Sequence, residues 1–225
     1  MAVEPYVRKL WPQAIIGLTR LLSGRVRDAM VARDLLYGIG LGMVWTLVGR
    51  SSDAISAHTD GYNSGNVDIL TSAASAFSAA LNLIPGGIQS TFTFFGAALL
   101  LRLLFDRLGR TLRLPHSLLP WLVGVSFTVI FTALESSSSH PTLFAISVRV
   151  ALYIVAAVAV TRFGLLALMV AVVVANGMLN VPITGDLRAW YAPNLFVGPA
   201  LVLALAVWAF FVSLGGRKLL PETTD

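Results

Sequence analysis

The stretch Phe163–Val181 runs for nineteen residues without a charge: Phe-Gly-Leu-Leu-Ala-Leu-Met-Val-Ala-Val-Val-Val-Ala-Asn-Gly-Met-Leu-Asn-Val. No other feature restricts the chain as much. As a helix rising ~1.5 Å per residue it reaches roughly 29 Å, close to the thickness of a bilayer's hydrocarbon core. Arg162 closes one end, and Pro182 with Thr184-Gly185-Asp186 closes the other. A helix on the rim of a soluble core carries a polar stripe, and this segment has almost none. It reads as a transmembrane helix, and several other segments share its character.

Composition agrees. Of 225 residues, 56% are hydrophobic and 12% charged, about half the ~25% charged of an average soluble protein. The chain has no cysteine, which excludes disulfides, thiolate metal sites and a cysteine nucleophile. A net charge of +5 in a soluble protein would point to nucleic acid. Here the arginines flank apolar runs, so the anionic inner leaflet explains them better, and no nucleic-acid partner is implied. Glu4, Arg8, Lys9 and Pro12 interrupt any signal-peptide core at the N-terminus.

The pattern predicts an all-α, polytopic membrane bundle. A basic cytoplasmic or interfacial segment covers 1–34. Six spans follow at about 35–49, 88–105, 117–134, 143–161, 163–181 and 194–214, and a cytoplasmic tail covers 215–225. Within the basic segment, Trp11–Leu22 reads as a short helix with Pro12 in its first turn. It either lies in the membrane interface or packs on the protein itself, and both readings stand. The first span is only fifteen residues between Asp34 and Arg50, so it needs snorkelling charges or a thinned bilayer to cross. Its Gly38, Gly40 and Gly42 let a neighbouring helix approach. With no preceding strand and no following lysine they do not form a phosphate loop. Residues 50–86 read as a long polar connection containing an Ala/Ser-rich surface helix over Ile69–Ile84. Pro85-Gly86-Gly87 is expected to break the chain before the second span. Arg102 and Asp106 are spaced to pair along a helix. A single residue, Arg162, separates the fourth and fifth spans and demands a tight turn.

Charge sets the orientation. With both termini cytoplasmic, thirteen of sixteen basic residues fall inside: Arg8, Lys9, Arg20, Arg25, Arg27 and Arg33; Arg102, Arg107, Arg110 and Arg113; Arg162; Arg217 and Lys218. Arg50 and Arg188 fall outside, and Arg149 lies within a span. This is the asymmetry of the positive-inside rule.

Few residues carry chemistry. His116 is expected on the opposite side from His58 and His140, and no metal-binding or cofactor motif is present. The Glu135-Ser-Ser-Ser-Ser-His140 turn holds the residue types of a serine hydrolase, but it reads as a flexible loop. Arg149 is the most informative charge, because it sits six residues into its span, about 9 Å deep by helical rise. An ionisable group there needs a partner, and Glu135 and Asp186 are the candidates. Asn176 and Asn180, one turn apart on the fifth span, reach a similar level. With Gln89 they complete a candidate outer polar pocket. It is either a site for a small ligand or ion, or a structural ion pair with amide bridges between helices. Trp45, Trp121, Trp190, Tyr191 and Trp208 are expected in an interfacial aromatic belt.

Several stretches together resemble a known family. Glu4-Pro-Tyr-Val-Arg-Lys-Leu-Trp-Pro12 is followed by Arg20-Leu-Leu-Ser-Gly-Arg-Val-Arg-Asp28 and Val31-Ala-Arg-Asp34. Later come Arg162-Phe-Gly-Leu-Leu-Ala-Leu, Pro182-Ile-Thr-Gly-Asp-Leu-Arg-Ala-Trp-Tyr191 and Ser213-Leu-Gly-Gly-Arg-Lys-Leu. This pattern resembles the C-terminal membrane region of bacterial eukaryotic-like serine/threonine protein kinases, of the kind abundant in acidobacteria. In that family a cytoplasmic kinase domain precedes the membrane region. This chain has no Gly-rich loop with a strand lysine, no His-Arg-Asp catalytic loop and no Asp-Phe-Gly. The resemblance therefore implies a non-catalytic module of the inner membrane, either the part of such a kinase that anchors and senses for it or a stand-alone relative of that membrane region. Its implied partners are the lipid bilayer, a kinase domain in the parent protein, and further copies of the chain. A small transporter or channel subunit is the second reading, and an intramembrane enzyme ranks third.

Overall fold

The computed structural model describes residues 12–59, 73–112, 115–137, 142–180 and 194–214, and the regular elements among them are all helical. They are α1 (Pro12–Leu22), α2 (Ala29–Thr59), α3 (Ala73–Leu112), α4 (Leu119–Ser136), α5 (Leu143–Val158), α6 (Leu165–Leu179) and α7 (Asn194–Ser213). A 3-10 turn, His116–Leu118, leads into α4, and a π-helical turn, Ala159–Phe163, follows α5.

Four stretches are long and apolar enough to cross a membrane: Ala29–Asp53, Pro85–Gly109, Leu119–Ser136 and Leu143–Phe163. Their outer surfaces carry large apolar side chains that no part of the protein covers, among them Leu47, Leu100, Trp121, Leu134 and Ile154. Apolar surface spread over so many helices is the mark of a membrane-embedded protein.

The chain enters the bundle through a well-defined corner. Gly24 ends α1 with φ 79°. Its amide donates to the Leu21 carbonyl and that of Arg25 to the Arg20 carbonyl, a Schellman stop that favours glycine. Asp28 then caps α2. Its Oδ1 accepts the Met30 amide at 2.8 Å, and its Oδ2 accepts Arg20 Nη1 at 2.7 Å. The Met30 amide, with Arg20 and Arg25 nearby, holds the Asp28 carboxyl below its ordinary 3.8. A depressed acid contributes stability that is complete above 3.8 and is lost as pH falls through its lower folded value. Asp28→Asn keeps a capping side chain but removes the titration. The variant is expected to lose the extra acid sensitivity that the wild type shows below pH 3.8, read by thermal unfolding in detergent at stepped pH.

The core is built around α6. Nine of its fifteen residues are buried, from Leu165 to Met178. Helix α2 lies parallel to it in constant register. Gly38 faces Ala167 and Val170, Gly42 faces Ala171 and Val174, and Gly49 faces Leu179. Helix α7 runs the other way. Val31, Leu166 and Ala209 share one cluster near the α1 end, while Ile39, Val174 and Met178 meet Val202 and Ala206 farther along. On the other flank α4 and α5 are antiparallel, with Gly124 by Ala157 and Phe131 by Tyr153. Phe94 of α3 touches Trp45, Phe127, Phe131 and Tyr153, and so links α2, α3, α4 and α5. From α2 to α7 successive helices alternate in direction, and the start of α2 and the end of α7 meet at the same end of the bundle.

Buried hydroxyls are handled within their own helices. Thr46, Thr91 and Thr128 each donate to the carbonyl of a glycine four residues earlier, Gly42, Gly87 and Gly124. In an apolar medium this supplies the partner that water cannot.

Several expectations need correction. The uncharged stretch at 163–181 yields a helix of only fifteen residues, Leu165–Leu179. Phe163 belongs to the π-helical turn, and Gly164 at φ 93° stands outside the helical region. The segment lacks a polar stripe because neighbours cover it on nearly every side. The first span is longer than fifteen residues: α2 continues through Asp34 and Arg50 at either end. Pro85-Gly86-Gly87 does not break the chain, and α3 runs through it for forty residues. A Cβ on Gly87 would lie 2.6 Å from Val173 Cγ2, so this glycine serves close packing on α6. Trp45 packs on Phe94 and Trp208 against the cluster around Leu166, so neither serves only as an interfacial anchor. Trp190 and Tyr191 lie outside the described residues. Helix α1 packs on the protein, with Leu18 and Leu21 against the Val31–Leu166 cluster. The tight turn expected at Arg162 is present. There the Gly164 amide donates to the Ala159 carbonyl at 3.1 Å.

Candidate functional site

The end of the bundle opposite α1 gathers most of the polar side chains singled out by the sequence. The last turn of α4 supplies Glu135 and Ser136. Helix α5, opened by Thr142, whose hydroxyl accepts the Ala145 amide at 3.2 Å, supplies Arg149 and Tyr153. These two are four residues apart and share one helical face.

Arg149 Nη1 donates to Ser136 Oγ at 3.1 Å, and its Nε lies 4.0 Å from Glu135 Oε2. The Tyr153 hydroxyl donates to that same Oε2 at 2.7 Å. One carboxylate oxygen thus serves a guanidinium and a phenol together. The pair is graded in depth, since the Arg149 side chain is 22% exposed and that of Glu135 51%. The guanidinium sits under the surface, while the carboxylate reaches toward it. Such a group can hold two helix ends in register, and it presents a charged, hydrogen-bonding face at its exposed side.

The expected pocket divides into two groups. Arg149 lies beside Glu135, one of its two candidate partners. Asn176 and Asn180 belong with the end of α2: Asn180 Nδ2 donates to the Asn176 carbonyl at 2.7 Å, and Arg50 Nη2 donates to the Met178 carbonyl at 2.7 Å. Arg50 Nη1 is 4.0 Å from Asp53. A guanidinium on the last carbonyls of α6 complements the negative end of its dipole. The separation has a physical cause. The turn at Gly164 parts the two helices: α5, before it, packs on α4 and α2, whereas α6, after it, packs on α2, α3 and α7. The Gln89 side chain is exposed on α3. Asp186 lies outside the described residues.

Sequence reading missed three members. Tyr153 was legible as the residue one turn from Arg149, and Ser136 as a neighbour of Glu135. Arg50 reads in the sequence as a flanking charge alone. Asp34 is a further surprise at the other end: its side chain is buried where α1 crosses α2, packed against Gly17. A Cβ at position 17 would overlap the Asp34 carboxylate, so glycine is the residue that lets α1 dock there.

Thr132 stands apart from the other buried threonines. Its hydroxyl is fully buried without a hydrogen-bond partner, one turn inside Ser136 on α4.

No family model matches this chain, and neither a curated protein nor a solved structure does.

Proposed function

We propose that this chain is a six-span module of a bacterial inner membrane, with both termini in the cytoplasm, that anchors and senses for a serine/threonine protein kinase domain. It has no catalytic role of its own. The observation that carries the reading is the resemblance of the arginine-rich entry, the Arg162 turn and the Pro182–Tyr191 and Ser213–Leu219 stretches to the membrane region of such kinases. The alternating helices and the gathering of basic residues near one end support six spans with cytoplasmic termini. The Arg149–Glu135–Tyr153 group and the Arg50 group then face outward, where a stimulus arrives. The parallel α2–α6 seam ends at the corner where α1 docks. A small shift of α2 on α6 reaches α1 directly, which is the element closest to a preceding kinase domain. Relay of this kind requires two packings that differ by a few kcal/mol.

Two experiments test the proposal. The DNA upstream of Met1 is expected to encode a kinase domain in frame; a promoter and ribosome-binding site there would instead support an independent protein. Arg149→Leu is expected to accumulate in the membrane at the wild-type level while abolishing the signalling response. A variant that fails to insert would make the Arg149 group purely structural.

A transporter or channel subunit is the second reading, favoured by the unpartnered Thr132 hydroxyl beside the Arg149 group. Flux across proteoliposomes with a broad panel of small solutes tests it.

A further inference from the structure

The corner between α1 and α2 combines two features that rarely share a protein surface. Leu22, the last residue of α1, is 77% exposed, and Val26 is 41% exposed. Around them Arg25, Arg27 and Arg33 are all exposed. Gly24, Arg25, Val26, Arg27 and Asp28 line a shallow depression open to the outside. The corner stays net basic, with Arg20, Arg25, Arg27 and Arg33 against Asp28 and Asp34. Asp28 is held by Arg20 and by the Met30 amide, and Asp34 is buried under Gly17.

The geometry points to an anionic phospholipid as the occupant of this corner. We infer that Leu22 and Val26 enter the acyl-chain boundary while Arg25, Arg27 and Arg33 bind the lipid phosphates. The physical grounds are on the surface itself. An exposed Leu and Val next to water are unfavourable, yet they sit where the bundle's apolar belt begins, at the N-terminus of the apolar stretch Ala29–Asp53. Interfacial segments hold in this way, with apolar groups a few ångströms deep and basic groups at headgroup level. Basic residues at headgroup level are drawn to the negative surface of an anionic leaflet. The Schellman stop at Gly24 and the cap at Asp28 fix the backbone that carries Arg25 and Arg27, so only side chains need ordering on lipid binding. This goes beyond the membrane-anchor reading, because it assigns lipid selectivity to one corner. It holds whichever way the bundle is oriented.

The test uses the full chain in detergent, with lipid adducts counted by native mass spectrometry. Phosphatidylglycerol is compared with phosphatidylcholine of the same acyl chains. Wild type is expected to retain phosphatidylglycerol at least several-fold better. The double variant Arg25→Gln/Arg27→Gln is expected to lose that preference, and Leu22→Ser/Val26→Ser to weaken both lipids alike. Thermal unfolding shows that the variants are folded; where the arginine pair fails to fold, Arg27→Gln alone carries the test with a partial loss of preference. Equal retention of the two lipids by wild type would overturn the inference, as would a preference that survives the arginine changes. Displacement of phosphatidylglycerol by millimolar glycerol phosphate would also overturn it, by reassigning the corner to a soluble phosphate. Orientation is read separately, from reporters fused after residues 34 and 112, so failure of the topology leaves this result interpretable.

Discussion

Gly42→Leu is expected to destabilise the bundle by about 3 kcal/mol or more, at the upper end of the range for overpacked cores. A Cβ at this position would lie 2.8 Å from the Ala171 carbonyl oxygen and 2.8 Å from Val174 Cβ. Both neighbours belong to a buried helix, and one is backbone, so neither can swing aside. The two helices would have to separate along their whole seam, since Gly38 and Gly49 hold the same register above and below. Little else drives association of helices in lipid, where the tails are as apolar as leucine and close packing must do the work. Gly40 supplies the control. It sits within the same Gly-x-Gly-x-Gly run but has nothing within 4 Å of a built Cβ. Gly40→Ala is therefore expected to be neutral or to stabilise by ~0.5–1 kcal/mol through lower chain entropy. Reversible unfolding in mixed micelles, followed by circular dichroism, measures both. Equal losses at positions 40 and 42 would refute the parallel α2–α6 seam.

Phe94→Ala is expected to cost about 3 kcal/mol and to loosen the α4–α5 pair before the rest. Its ring lies 5.0 Å from that of Phe131 and 5.7 Å from that of Phe127, edge to face in both cases. It also meets Trp45 at 6.3 Å and Tyr153 at 6.1 Å. Aromatic pairs of this kind are each worth ~0.5–1.5 kcal/mol beyond burial. Large aromatic truncations in soluble cores cost ~3–5 kcal/mol. In lipid the transfer contribution shrinks, leaving the lost dispersion contacts and the cavity, so the lower end applies. Phe92, two residues away and 55% exposed, is the comparison. Phe92→Ala is expected to cost less than ~1 kcal/mol, because its ring already faces an apolar surround. Hydrogen exchange should show faster opening of α4 and α5 in Phe94→Ala with α6 still protected. Uniform loosening of all helices would argue against a separable flank.

The Arg149 group shows how far a sequence can carry a site. An arginine inside an apolar run demands a partner, and Glu135 and Asp186 are both candidates because each closes an apolar run on the same side. What spacing could not provide is which helices lie side by side. Asn176 and Asn180 reach a similar depth, yet they sit on α6, whose neighbours are α2, α3 and α7. Depth is a one-dimensional quantity and can be read from helical rise. Adjacency depends on the turn at Gly164 and on which surfaces interlock.

The same division runs through the fold. Apolar runs without a polar stripe determine helices in lipid, because a backbone far from water must satisfy its own hydrogen bonds. The tight turn at Arg162 and the close approach along the Gly38–Gly42 run follow from local composition, whereas Gly40, read like its neighbours, meets nothing within 4 Å. The ends of helices did not follow. Asp34 and Arg50 look like boundaries, but each lies within α2, as long polar side chains can bury or reach past an end. Pro85 and Gly87 look like breakers, yet α3 passes through both, and Gly87 packs on Val173 of α6. Tertiary structure alone decided that the most apolar segment is the short buried helix at the centre. A helix surrounded by other helices and a helix surrounded by lipid carry the same kind of sequence, since both neighbours are hydrocarbon.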